Sequence, residues 1–247
     1  MAVFLIFLVW VILGLVVNNQ FLLPMPQTVL VDFINIFTNR VSLISLFTSV
    51  IRLLLSMIFA FVFGFGFGLL AGLNDKFQAF VQPIVTVLRT IPVISITVIL
   101  LIMLGFVLTP YVITFLMLFP LIFQGTFGAI KGIDQELIDV FKLENNQLSV
   151  MIRHCYVPLI SRDIRTALLQ SLGLGIKVLV MAEYLSQTKN SIGNQLYLAK
   201  TNLEFSEVFA WTLLLILLAL GFEIIVNHYG AFAKGVLNNK RNKSNTD

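Results

Sequence analysis

Ionisable side chains inside long apolar runs are where this sequence could do chemistry. Lys177 and Glu183 fall in the apolar stretch 166–185, Glu223 lies near the end of the stretch 208–226, and Arg52 follows the start of an apolar run at Leu43. A charge placed in hydrocarbon marks a solute path, a proton relay or a structural ion pair. Lys177 sits about 18 Å into its stretch at ~1.5 Å per residue, past the middle of a bilayer core ~30 Å thick. An unpaired lysine there is unfavourable by about 2.5–3.5 kcal/mol, so a partner or a water-filled cavity must offset it. Glu183 lies six positions on, which turns the two side chains roughly 120° apart on a helix. A pair of Lys177 with Glu183 or Glu223 and a pathway-facing Lys177 both remain open. Glu183 either pairs with a base from the following polar loop or lines the pathway. Arg52, near one end of its span, reads as an interface residue that snorkels to water, and Glu223 as a packing or ion-pair residue.

Hydrolytic chemistry has no support. The two histidines, His154 and His228, fall at the edges of apolar stretches, and neither Gly-x-Ser-x-Gly nor His-Glu-x-x-His occurs. The single cysteine, Cys155, has no intramolecular disulfide partner and reads as a small buried apolar residue.

The elements that must position these residues are membrane helices. Of 247 residues 58% are hydrophobic and 11% are charged, and mean hydropathy is +0.97. A soluble domain carries about 25% charged residues, so this chain cannot cover itself with polar surface. Its expected class is all-α, a polytopic membrane protein. The small net charge of +4 is clustered, which argues for membrane orientation and against nucleic-acid binding.

Six spans are expected. Residues 1–17 read as an uncleaved first span, because a signal peptide would need a basic start and a small-residue cleavage site. The remaining spans lie within residues 43–228: 43–73, 83–106, 111–130, 166–185 and 208–226. A mildly amphipathic stretch up to Asn39 is too polar to span and is placed at an interface. Ala60, Gly64, Gly68 and Gly72 recur every fourth residue, a small-residue face that another helix can approach closely. Which helix does so is not legible. Pro92 sits near the start of the third span, residues 105–110 read as a tight turn, and the 23 phenylalanines read as lipid-facing bulk. The tail 234–247 is basic and reads as disordered.

The longest polar passage, 134–161, joins the fourth and fifth spans. Glu136, Asp139, Lys142, Glu144 and Arg153 alternate with Leu137, Val140, Phe141, Leu148 and Met151. That spacing predicts a short amphipathic helix, a turn at Asn145–Asn146, and a second helix halted by Pro158. Bases concentrate in this passage, around Lys76 and in the tail. The positive-inside rule then puts it and both termini in the cytoplasm. It is either a solvated connector or a docking surface for a soluble partner, and the sequence favours docking.

The passage resembles the cytoplasmic coupling loop of ATP-binding-cassette importer permeases, whose pattern is Glu-Ala-Ala, three residues, Gly, nine residues, then Ile-x-Leu-Pro. Asp139, Val140 and Phe141 stand for Glu-Ala-Ala, Asn145 for Gly, Cys155 for Ile, Val157 for Leu, and Pro158 is identical. Asn suits a left-handed turn in place of Gly, while Phe141 for a small Ala is a departure. Leu23-Pro24-Met25-Pro26, Ser49-x-x-Arg52, Pro83 with Arg89-x-Ile91-Pro92, Ala182-Glu183, Ile192-Gly193 and Phe209-Ala210-Trp211 resemble permeases of the nitrate, sulfonate and taurine type, in order.

This resemblance implies a type I importer permease fold and a transport role without catalysis. It implies no directly bound cofactor, with ATP and Mg held by two cytoplasmic ATPase subunits. A second permease copy, an extracytoplasmic solute-binding protein and the plasma membrane are the implied partners and setting. The solute would be small, with anions among the candidates, of the nitrate, sulfonate, taurine or thiamine-precursor kind, moved by alternating access. Two copies of a pathway-facing Lys177 would then make a positive girdle. The rival reading is a secondary transporter or channel using Lys177, Glu183 and Glu223, but no inverted repeat is visible.

Overall fold

A computed structural model describes residues 2–17, 19, 23–144 and 147–244, with side chains described up to residue 226 apart from a few near the start and at 144. Every regular element among them is helical: α1 (Ala2–Val17), α2 (Pro26–Thr38), α3 (Arg40–Leu73), α4 (Asp75–Thr90), α5 (Val93–Lys131), α6 (Gln135–Glu144), α7 (Leu148–Met151), a π-turn (Ile152–Tyr156), α8 (Val157–Ser186), α9 (Ile192–Thr201) and α10 (Phe205–Ser244). Among the described residues, four helical stretches are long and apolar enough to cross a membrane: Arg40–Leu73, Val93–Lys131, Leu148–Ser186 and Phe205–Val226. A shorter apolar stretch covers Phe7–Val17.

Breaks between helices follow from backbone chemistry. Pro92 does not merely remove one hydrogen bond from a third span, as its position suggests. It ends α4, because the residue before a proline is pushed out of the α region; Ile91 is extended (φ −68°, ψ 131°) and α5 starts after Pro92. The tight turn expected over 105–110 is a single residue. Gly105 alone leaves the helix (φ 74°, ψ −177°) within α5, in a region that only glycine occupies readily. Pro158 does not halt a helix either. The π-turn just before it gives an i→i+5 bond from the Val157 amide to the Ile152 carbonyl. That wider turn makes room for the ring and its missing N–H, so α8 runs through Pro158. The basic tail is helical up to Ser244, since no proline or paired glycine interrupts α10 there.

The chain divides into two compact units. One comprises Met1–Leu55, Ile94–Ile113 and Ile176–Ala219; the other comprises Ser56–Val93, Thr114–Gly175 and Leu220–Asp247. In the first, Val29, Ile36, Val180, Ile192, Ala210, Trp211 and Leu214 form a core. Trp10 stacks on Phe209 at 5.8 Å and donates its indole N–H to the Pro24 carbonyl. In the second unit, phenylalanines make core as well as exposed surface. Phe115, Phe119, Phe123 and Phe127, spaced by four, line one face of α5 with neighbouring rings in contact, the last pair stacked. Phe67 meets Phe119 and Phe77 edge to face.

The small-residue face of α3 finds its partner in this unit, and it is α5. A Cβ at Gly64 would lie 2.9 Å from the Ile122 Cβ, one at Gly68 2.8 Å from the Phe123 carbonyl oxygen, and one at Gly72 2.8 Å from the Ile130 Cβ. Gly66, on another face, has nothing within 4 Å.

Candidate functional site

Two local arrangements carry the sequence-predicted residues, one in each unit. In the second unit, α6 lies between two long apolar stretches. Ile138 points inward, packed with Ile130, Met151, Tyr156 and Ile160. The opposite face is open: Val140 is 63% and Leu143 90% exposed, and Leu137 is exposed beside them. At i, i+3, i+6 these three make one apolar stripe on the helix surface. Asp139, also exposed, accepts a hydrogen bond from Lys142 Nζ at 2.9 Å. That bond holds the Asp139 carboxyl below its ordinary range and the Lys142 ammonium above its own. A depressed carboxyl pKa means the pair is intact at neutral pH and is lost only as pH falls through that lowered value.

Among the other expected coupling residues, Phe141 is half-buried, Cys155 is fully buried in the π-turn, Val157 is half-buried and Pro158 is exposed. Asn145 lies outside the described residues.

In the first unit, the charges in the apolar stretches resolve differently from the snorkelling expectation for Arg52. Arg52 is buried, and its Nη1 donates to Glu183 Oε1 at 2.9 Å, with the two side chains 7% and 0% exposed. Ser49 and Arg52, three apart on α3, share the face that Glu183 meets. The Ser49 hydroxyl lies 2.8 Å from both carboxylate oxygens and donates to them, while accepting the Ile192 amide at 2.9 Å. The Gly193 amide donates to Oε2 at 3.2 Å. Glu183 thus closes the first turn of α9, where amide N–H groups have no helical partner and a negative charge is favoured. Buried charge demands such saturation, because desolvation is costly unless the geometry is complete. Arg52 also reaches the carbonyls of Lys189 and Asn190 and sits 5.9 Å from the Tyr111 ring centre.

The loop from α8 to α9 is tied by neighbouring bonds. Ser191 caps α9 by accepting from the Asn194 amide, and Gln187 and Asn190 hold positive φ. Thr188 Oγ1 donates to the Phe106 carbonyl at 2.6 Å. In a helix that carbonyl would accept from residue 110, which is proline and has no N–H. At Gly193 an added Cβ would collide with the Tyr184 amide, the Glu183 side chain and the Val180 carbonyl, so α9 meets α8 backbone to backbone.

Lys177 is exposed on α8, and none of the ion pairs among the described residues includes it. Glu183 is committed to Arg52, and Glu223 is exposed on α10. Sequence reading missed the Ser49–Arg52–Glu183 association. Its signal was present: Ser45, Ser49 and Arg52 lie on one side of α3, all buried, and an acid inside a span needs a base.

Comparison with known proteins agrees with this organisation. The chain is 25% identical over 205 residues to the Bacillus subtilis (strain 168) protein named "Putative aliphatic sulfonates transport permease protein SsuC", an alignment covering 82% of this chain and 74% of that one. Residues 64–233 match the family model described as binding-protein-dependent transport system inner membrane component. That match spans well over half of the sequence, and the chain belongs to this family, the importer permeases of the ATP-binding-cassette class that its coupling-loop pattern resembles.

Proposed function

We propose that the chain is the permease subunit of an importer that carries a small anionic solute, with aliphatic sulfonates the first class to test. It crosses the membrane six times: α1, α3, the end of α4 joined to the first segment of α5 across Pro92, the second segment of α5, α8 and α10. Both termini and α6 face the cytoplasm. Two copies form the pathway, an extracytoplasmic binding protein delivers the solute, and ATP is hydrolysed on separate subunits docked at α6. Closure of those subunits moves α6 and the helices joined to it, and the pathway opens alternately to each side.

The observation that carries this reading is the open apolar stripe of α6, Leu137, Val140 and Leu143, beside Asp139 on a polar segment between long apolar helices. An exposed apolar patch ringed by charge marks a protein contact, and family membership supplies its partner class. Leu143→Asp and Asp139→Lys are expected to leave the permease in the membrane while reducing co-purified ATPase about tenfold or more, the scale for losing a contact hot spot. Undiminished ATPase in both variants sinks the docking assignment.

Lys177 supports the choice of an anionic solute. It is a cation more than halfway along a span, exposed, and outside the ion pairs formed among the described residues. Facing the pathway, it attracts negative charge. Lys177→Met is expected to assemble with its ATPase and lose about tenfold or more of aliphatic sulfonate uptake, while Lys177→Arg keeps part of it. Normal uptake by Lys177→Met removes the residue from the pathway.

A further inference from the structure

We infer that Ser49, Arg52 and Glu183 form a clamp that makes α9 move with α8, so that a change of nucleotide state in the partner ATPase reaches the far face of the permease. The inference rests on the reading of the chain as an importer permease. Its geometry is independent of that reading. α9 is only ten residues long, too short to hold its shape alone in water. Its first turn is fixed to both neighbours, where the Ile192 amide bonds Ser49 and the Gly193 amide bonds Glu183, and farther along Gln195 Nε2 donates to the Ser45 hydroxyl of α3 at 3.0 Å. Glu183 belongs to α8 and Ser49 to α3, so one carboxylate ties three helices. Gly193 leaves no room for a side chain against α8, and Tyr184 of α8 meets Tyr197 of α9 edge to face at 5.7 Å.

Beyond that anchored start, α9 carries Leu198, Lys200 and Thr201 into the open, followed by Asn202 and Leu203. On the proposed topology this end faces the side from which solute arrives. Gln195 and the buried Ala199 hold the inner side of α9, while the clamp ties its start to α8 through a charge, so displacement of α8 passes to α9 in full only while the clamp holds. Ser49, Arg52 and Glu183 are therefore positioning residues: they touch no solute and set where α9 stands relative to α8.

The test uses the permease–ATPase complex in detergent, with Glu183→Gln and the milder Ser49→Ala. Hydrogen exchange over residues 192–201 reports the pin, and an environment-sensitive fluorophore on Lys200→Cys reports whether α9 responds when Mg-ATP and vanadate trap the ATPase. In the unaltered clamp, exchange is slow and the fluorophore responds to trapping. Exchange in α9 is expected to rise about tenfold in Ser49→Ala, the scale for losing a hydrogen bond to a charged group, and further in Glu183→Gln, which also strands the Arg52 charge. The trapping response is expected to vanish while co-purified ATPase and its basal hydrolysis persist. Unchanged exchange in both variants, or a response that survives the loosening of α9, overturns the clamp. A complex that holds no ATPase in its unaltered form refutes the importer reading instead, and the exchange measurement then still decides whether the pin exists.

Discussion

Arg52→Met is expected to destabilise the protein by about 3–5 kcal/mol, the cost of leaving one partner of a buried ion pair without the other. Glu183 is wholly buried, and its remaining donors are the Ser49 hydroxyl and the Gly193 amide. Those two stabilise a carboxylate but do not neutralise it. Removing Glu183 as well takes away the stranded charge, so Arg52→Met with Glu183→Met is expected to be more stable than Arg52→Met alone. Thermal unfolding of the four proteins in lipid nanodiscs gives the coupling directly. Additive losses, with the double variant the least stable, count against the pair as the source of the effect.

Gly68→Leu is expected to cost about 3 kcal/mol or more, the upper range for overpacking a core. The added Cβ meets the Phe123 carbonyl and the Thr126 side chain, each at 2.8 Å. Backbone cannot rotate away as a side-chain tip can, so α3 and α5 must separate, and the contacts around Phe119 and Phe123 open with them. Gly66→Leu is the control, since that position is open, and a surface change of this kind stays within about 0.5 kcal/mol. The measurement is the yield of monodisperse protein after extraction together with its unfolding midpoint. Equal tolerance at Gly66 and Gly68 shows that the α3–α5 approach is not required.

Much of this is legible in the sequence. A chain with few charges and long apolar runs has one solvent in which it can bury its backbone, and helices are the way to do so. The four-residue spacing of Ala60, Gly64, Gly68 and Gly72 showed that a helix would come close along that face. The alternation of charge and apolar residues over 134–144 marked α6 as amphipathic. Local pattern suffices there because each property depends on residues within a turn or two of one another.

Partner identity is a different kind of quantity. The small-residue face is a vacancy in one helix, and nothing in its spacing says that Ile122, Phe123 and Ile130 fill it. Phenylalanine is equally apolar against lipid or core, so only packing separated the ring-lined face of α5 from the exposed remainder. Pro92, Gly105 and Pro158 each weaken a helix. Whether the chain ends, pivots or widens at such a residue depends on what takes up the freed backbone groups, just as Thr188 takes up the Phe106 carbonyl that Pro110 leaves without a helical donor. Arg52 is the sharpest instance. From composition alone, a base near the end of a span reaches for water, because solvation there is cheap. Glu183 lies 131 positions away in sequence and offers a better partner only after α3 and α8 are brought together. The sequence by itself determined that both charges must be satisfied, and tertiary structure alone decided that they satisfy each other.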